Sequence, residues 1–311
     1  MLAARRSGPF IDSDWAFELK WDGVRALLNW DGAAVTLRSR AGNDMSAKYP
    51  ELRTFRADRP VVVDGEIVAL DDTGRPSFER LQQRMNLSGA REINVVSAAV
   101  PVSYVAFDML YDGNDVTAEP WENRRLRLDA LQLGPPFVTS AVVIGDPTSL
   151  WRLVEERGLE GIMAKRRRSM YRPGARSVDW LKITRFRQVR AVVGGFLPGD
   201  GARSGVFGSL LLGLWDAGSL RWIGAVGSGF SGVALRAIRD TLDVLETADS
   251  PFAPNADLPV NAVWVAPRLV ALVQYKEFTS AGRLRGPSFK GFTDDDPTLI
   301  TWEREGPGGS G

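Results

Sequence analysis

Neither cysteine nor histidine occurs anywhere in the 311 residues. Without cysteine there can be no disulfide, thiolate zinc site or thiol nucleophile. Without histidine, serine–histidine triads, imidazole acid–base catalysis and imidazole metal ligation are excluded. Any catalysis must draw on lysine, carboxylates, arginine, hydroxyls or a metal held by oxygen, and oxygen ligation favours magnesium or manganese over zinc. Long apolar runs are missing as well. No stretch is long enough to span a bilayer, and the opening Met-Leu-Ala-Ala-Arg-Arg-Ser-Gly-Pro lacks the apolar centre of a signal peptide. A cytoplasmic protein without membrane attachment is expected.

Net charge is nearly absent, at +1, but its distribution is uneven. Between Lys165 and Arg190 stand ten basic residues and one acid, Asp179. Tyr171, Pro173 and Gly174 interrupt this tract, so it is not one solvated helix face. A groove for phosphates and a generic basic surface both fit it.

The length suits two domains. The first part reads as an α+β arrangement. Asp14 to Lys20 leads through Asp22-Gly23 into a returning strand, Val24 to Trp30. Asp31-Gly32 then turns into Ala33 to Arg40, completing a meander. Val61 to Leu70 and Tyr104 to Tyr111 read as buried strands. Helices are predicted over Ser77 to Met85 and Trp121 to Leu131, and from Asp146-Pro147 to the stop at Gly158. Beyond Arg187, glycine-rich strands over 189–196 and 208–215, with further strands over 220–226 and 270–278, surround one helix from about Ser231 to Leu245. That pattern suits an all-β barrel of the oligonucleotide-binding (OB) type. The expected domains are residues 1–187 and 188–305, followed by a flexible glycine-rich tail, 306–311.

Several segments carry chemistry. Residues 18 to 25 read Glu-Leu-Lys-Trp-Asp-Gly-Val-Arg. Here Lys20 suits nucleophilic attack on a phosphate, Asp22-Gly23 a tight reversal, and Arg25 a return to the same pocket. An Asp-Gly hairpin beside a solvated lysine fits the same letters. Glu66 sits in an otherwise apolar strand, so a cation, a ribose hydroxyl or a metal should satisfy it, or a structural ion pair. Phe107, Lys165 and Lys182 read singly as a core aromatic and surface lysines. Glu160 and Lys165, five apart, fall on opposite faces of a regular strand, so a bulge or two separate subsites would be needed to use both.

Together these segments, in order, resemble the ATP-dependent DNA ligases, and most nearly the ligase domain of the bacterial end-joining type, ligase D. The matching stretches are KWDGVR from Lys20, SRAGND from Ser39, DGEIVA from Asp64, FDMLY from Phe107, EGIMAKR from Glu160 and WLK from Trp180. RLRGPSFKG from Arg283 resembles the closing part of that family's second domain. The resemblance implies an adenylation (nucleotidyltransferase) domain followed by an OB-fold. It implies that Lys20 attacks the α-phosphate of ATP, that AMP passes to a 5′-phosphate, and that a 3′-hydroxyl displaces it, in DNA repair. By the same resemblance Glu66 holds the ribose, Phe107 stacks on adenine, and Glu18 lies at the adenine or ribose edge. Arg25, Arg40 and Arg176 contact ribose or phosphate, while Lys165 and Lys182 offset phosphate charge. Glu160, with Glu66, would hold Mg2+ (or Mn2+), and Asp22 would support Lys20. The implied partners are double-stranded DNA with nicks or ends, together with end-joining or repair proteins. A nucleoid-associated monomer is expected.

Two departures bear on the first step. The WLK segment ordinarily continues to a second lysine where Thr184 stands, with Arg185 next to it. The closing run Thr293-Asp294-Asp295-Asp296-Pro297 lacks its usual arginine and lysine, leaving Arg285 and Lys290 as the nearby cations. Slow self-adenylation is the expectation. Lacking a polymerase or phosphoesterase region, the chain reads as a stand-alone ligase or as the ligase part of a longer protein. An RNA ligase, a capping-type guanylyltransferase and a non-catalytic DNA-end-binding module are the alternatives. The set Lys20, Glu66, Glu160 and Lys182 weighs against the last.

Overall fold

The computed structural model describes residues 1–254 and 256–308. It divides into two compact units, Met1–Arg185 and a second beginning at Phe186.

In the first unit the strands are β1 (Leu2–Arg6), β2 (Trp15–Leu19), β3 (Val24–Trp30), β4 (Val35–Ser39), β5 (Val61–Ala69), β6 (Val102–Asp112), β7 (Phe137–Thr139), β8 (Val142–Ile144), β9 (Gly161–Arg166) and β10 (Arg176–Thr184). Four helices join them: α1 (Phe78–Met85), α2 (Ala90–Ala99), α3 (Trp121–Asp129) and α4 (Thr148–Arg157). The strands form two five-stranded sheets, ordered β1-β10-β9-β2-β8 and β4-β3-β5-β6-β7.

This order corrects the expected meander. β3 and β4 do pair across Asp31-Gly32, but β2 pairs with β8 and β9 while β3 pairs with β4 and β5. Residues 20–23 therefore carry the chain from one sheet to the other. Gly23 is needed there for close approach rather than for a hairpin turn. A Cβ on it would lie 2.2 Å from the Ile67 carbonyl oxygen of β5 and 2.9 Å from Glu66 Cγ. The chain crosses back between β7 and β8, and the two crossings are tied together where Trp21 Nε1 donates to Ser140 Oγ at 3.1 Å.

Apolar alternation sets the layers. Leu28, Leu37, Val61, Val63, Ile67 and Tyr104 face outward from the second sheet into a core covered by α1, and Phe17, Ile162 and Ile183 face α4. Between the sheets lies a third cluster around Trp121, Tyr171 and Trp180, with Phe107 and Met163 at its edge.

The second unit holds β11 (Arg187–Pro198), β12 (Phe207–Asp216), β13 (Ser219–Val226), α5 (Gly232–Val244), β14 (Glu246–Thr247), β15 (Val263–Tyr275), β16 (Glu277–Phe278), β17 (Leu284–Arg285), β18 (Ser288–Thr293) and α6 (Trp302–Glu305). One antiparallel sheet runs β13-β12-β11-β15-β14, with β18 also on β15. Ala217 and Gly218, at φ 48° and 83°, make the β12–β13 turn, and Ser231 caps α5 by accepting from the Ala234 amide. Glycines let the sheet bend: a Cβ on Gly213 would meet Leu220 at 2.4 Å, and the register slips beside Gly213. Gly306, the first residue of the expected tail, is buried, and its amide closes α6 on Trp302. Residues 309–311 lie outside the described residues.

Candidate active site

A cleft of about 250 Å³ opens between the two sheets of the first unit. Its walls bring together Glu18, Lys20, Arg25, Arg40, Glu66, Phe107, Lys165, Arg176 and Lys182, nine of the residues singled out from the sequence. Glu160 reaches it through Lys20, while Asp22 stands in the crossing segment, outside the lining residues. Leu2, Ala3, Trp21, Met163 and Trp180 also line it, and sequence reasoning gave none of them a role in the site.

The cleft is organised by β2 and β9, which run antiparallel with Glu18 opposite Met163 and Leu19 opposite Ile162. Glu18 and Lys20 share one face of β2 and its continuation. Across from them, Lys165 pairs with Glu18 and Glu160 pairs with Lys20, so acid and base are exchanged between neighbouring strands. Glu160 and Lys165 reach the same face because the alternation is broken at Gly161, whose φ is 148°. No side chain fits there, since a Cβ would lie 2.1 Å from the Ile183 carbonyl oxygen. The irregularity that the five-residue spacing required is thus a single glycine.

Lys165 and Glu18 are almost wholly buried, at 1% and 3% side-chain exposure. Burial pushes the Glu18 carboxyl up and the Lys165 ammonium down, each opposed by the charge of its partner. Lys165 also donates to the Phe107 carbonyl at 2.9 Å, and it sits 4.4 Å and 4.3 Å from the ring centres of Phe107 and Trp180. It is no surface lysine. Glu18 Oε2 lies outside the pair with Lys165, and Ser140 also stands within reach of the Glu18 carboxylate.

Lys20 lies at the other end. Its amide donates to the Gly161 carbonyl at 2.9 Å, which fixes the backbone beneath the amine. Burial lowers the Lys182 ammonium below the ordinary lysine range, and the charges of Arg5, Lys20 and Arg176 lower it further. Arg5 stands beside Lys182 in the β1–β10 register. Glu66, on β5, is pushed up to about 8 by burial, against the pull of Lys20 and Arg25.

Arg25 lines the cleft with its donors already engaged. Its Nε and Nη2 grip Asp64 at 2.9 and 2.5 Å, and its Nη1 donates to the Met1 carbonyl at 2.7 Å. Burial would lower its pKa, but the charge of Asp64 holds it above the usual arginine range. A second buried pair, Asp108 with Arg124, lies behind it at 2.8 Å through both oxygens. Asp64, Asp108 and Arg124 were legible as polar residues in apolar strands and a helix, yet no motif assigned them partners. Arg176 is exposed and donates to the Ala3 carbonyl at 2.6 Å, tying β10 to β1 at the rim.

The basic tract is not one face. Lys165 is buried, and Arg166 and Arg167 pair with Asp179 and Glu122 at 3.2 and 2.8 Å. Arg190 pairs with Asp295 and Glu305. Arg168 and Arg172 remain exposed. In the closing run, Asp295 is thus spent on Arg190, and Asp296 accepts from the Thr298 amide at 2.9 Å. Arg285 donates to Glu277 at 2.6 Å, while Lys290 is exposed on β18.

Two sheets enclosing a lysine, followed by a glycine-bent antiparallel sheet, make up a nucleotidyltransferase unit and an OB-fold unit. The profile of the ATP dependent DNA ligase domain matches residues 1–184, and that of the ATP dependent DNA ligase C terminal region matches 203–296. The chain belongs to the ATP-dependent DNA ligase family. It is 39% identical over 293 residues to the multifunctional non-homologous end joining DNA repair protein LigD of Mycobacterium tuberculosis, covering 91% of this chain and 36% of that protein. It therefore spans little more than a third of the length of that relative. The crystal structure of the ligase domain from M. tuberculosis LigD matches at TM-score 0.55 and 37% identity, over 96% of each chain. A mycobacterial DNA ligase D complexed with ATP and MES matches at TM-score 0.56 and 36% identity, again over 96% of each chain. No helix among the described residues is long and apolar enough to cross a membrane.

Proposed function

We propose that this chain seals 5′-phosphate/3′-hydroxyl nicks or ends in double-stranded DNA through a lysyl-AMP intermediate. Lys20 Nζ attacks the α-phosphorus of ATP, the new N–P bond forming as the bond to pyrophosphate breaks. The adenylate then passes to a DNA 5′-phosphate, releasing the amine. Attack of the 3′-hydroxyl on that phosphorus forms the phosphodiester and expels AMP. The observation that carries this reading is the seating of Lys20 in the cleft, with Glu160 on its amine and Lys182 and Glu66 within electrostatic reach.

A lysine at its ordinary pKa of about 10.4 is protonated and not nucleophilic. Glu160 contacts that ammonium directly and orients the amine in the cleft. Lys182 and Arg176 offset charge on the phosphate in flight. The part of the cleft lined by Phe107, Trp180, Met163 and the Glu18 carboxylate suits a flat base bearing an exocyclic amine.

Among the described residues no group of three or more acidic side chains gathers to cage a metal. Two carboxylates are nonetheless enough for magnesium or manganese that completes its shell with water and phosphate oxygens. Glu66 and Glu160, the latter close enough to raise the proton affinity of Glu66, are the residues that would hold it. Bound there, the ion supplies charge stabilisation to the transferring phosphoryl group. DNA with nicks or ends, delivered by end-joining or repair proteins, is the proposed setting, with the chain acting as a monomer.

The test is intact mass after incubation with magnesium and ATP or GTP. One added AMP, absent from Lys20→Ala, is expected. An added GMP would indicate a capping-type enzyme, and no adduct an end-binding module. Sealing of pre-adenylated nicked DNA without self-adenylation would place a defect in the closing run.

A further inference from the structure

Tyr171 lies in the loop between β9 and β10 and is buried, at 7% exposure. Its side chain performs two jobs at once. The hydroxyl donates to Asp64 Oδ2 at 2.7 Å, and it accepts from Arg25 Nη2 at 3.2 Å. Arg25 Nη2 also reaches Asp64 Oδ2, so hydroxyl, carboxylate and guanidinium close a triangle. The ring meets Trp180 edge-on at 5.7 Å, and Trp180 meets Phe107 edge-on at 6.2 Å. Arg25, Trp180 and Phe107 all line the cleft, whereas Tyr171 does not.

The triangle also crosses between sheets. Asp64 and Arg25 belong to β5 and β3 of one sheet, and Tyr171 comes from the connection between two strands of the other. Asp64 is fully buried, so its charge needs every donor it receives. A guanidinium held by both oxygens of a carboxylate still pivots about that pair. The Met1 carbonyl on Nη1 and the Tyr171 hydroxyl on Nη2 hold it from its two sides, and the hydroxyl is the side-chain member of that restraint.

We infer that Tyr171 is a positioning residue for adenylation, fixing the orientation of Arg25 through Asp64 and that of Phe107 through Trp180. The inference rests on the proposed nucleotide-binding role of the cleft. It implies that the hydroxyl acts on nucleotide affinity through Arg25 and has no separate route to the chemistry at Lys20.

The experiment is a double-mutant cycle on the full chain with magnesium and ATP, following AMP-adduct formation. Tyr171→Phe keeps the ring and removes the hydroxyl. It should raise KM for ATP roughly tenfold, the scale of one hydrogen bond to a charged group, with kcat within about threefold of native. In an Arg25→Ala background the same change should leave KM unaltered, because the residue it orients is gone. A structural role alone would lower both backgrounds equally, and that additivity would overturn the inference, as would a native KM in Tyr171→Phe. Arg25→Lys is the second variant should Tyr171→Phe fold poorly: it keeps a cation against Asp64 but removes the Nη2 contact with the hydroxyl, and it should raise KM for ATP, a native KM there overturning the inference. Native protein run alongside separates the two readings. Native adduct with an indifferent Tyr171→Phe sinks the positioning role alone, while failure of the native protein to form adduct sinks the function it rests on.

Discussion

Lys20 and Glu160 are 140 residues apart in sequence and meet at the end of the β2–β9 pair, where the Lys20 amide also bonds the carbonyl of Gly161. Backbone and side chain of the nucleophile are therefore held together. Glu160→Gln keeps the shape and removes the charge. Adduct formation with ATP should slow roughly 100-fold while thermal stability stays near native. Intact-mass time courses would show this, and a native rate would remove Glu160 from the chemistry.

Glu66 gives a pH signature in the nucleotide-free protein. Its carboxyl rises from 4.5 to about 8 on folding, so between those values the folded state binds the extra proton. The stability it contributes is complete below 4.5 and is lost as pH climbs toward 8. Glu66→Gln should flatten the fall of Tm between about pH 5 and 9. An unchanged slope would place the pH dependence elsewhere.

The Glu18–Lys165 pair predicts an asymmetry. Lys165→Met leaves a buried carboxylate unpaired and should cost about 3–5 kcal/mol in denaturant unfolding. Adding Glu18→Gln should recover a large part of that loss. If the double variant is as unstable as the single, the cost lies in packing rather than in charge.

Gly23→Ala tests the crossing between the sheets. The added methyl meets the Ile67 carbonyl at 2.2 Å and should destabilise by about 1–3 kcal/mol or more. A Tm within a degree of native would mean that β5 yields easily.

Arg168 and Arg172 are exposed members of the basic tract outside the cleft, placed to meet phosphate. Replacing both with alanine should flatten the slope of log affinity for nicked DNA against log salt, by about one unit for each phosphate no longer neutralised. The same change at Arg167 should instead release Glu122 and leave the slope alone.

Element types along the chain follow from local pattern. Ser77 and Ser231 cap the helices that their positions predict, and the long strands β5, β6, β11 and β12 fall where apolar runs place them. Pairing does not follow. Residues 14–30 read as a hairpin because Asp-Gly commonly closes one, and nothing local reveals that β2 finds its partner in β9, more than 140 residues later. The nine cleft residues are legible because their order matches a family. Asp64 and Trp180 head two of the matched segments, yet their roles, like that of Tyr171, are not legible, since a buried polar or aromatic residue acquires its meaning from partners that only tertiary structure supplies. β1 escapes notice for the same reason, a five-residue strand recognisable chiefly by its place on β10.

The chain passes between the two sheets at residues 20–23 and again at Ser140, and Trp21 fastens the two passages together. In mechanical terms, Lys20 is carried by the first sheet at the point where the chain leaves it. Motion that widened the cleft would carry Phe107 and Glu66 away from Met163 and Lys182, while the amine would stay with the sheet that bears it. The nucleophile can then keep its place beside Glu160 while the opposite wall adjusts to what the cleft holds.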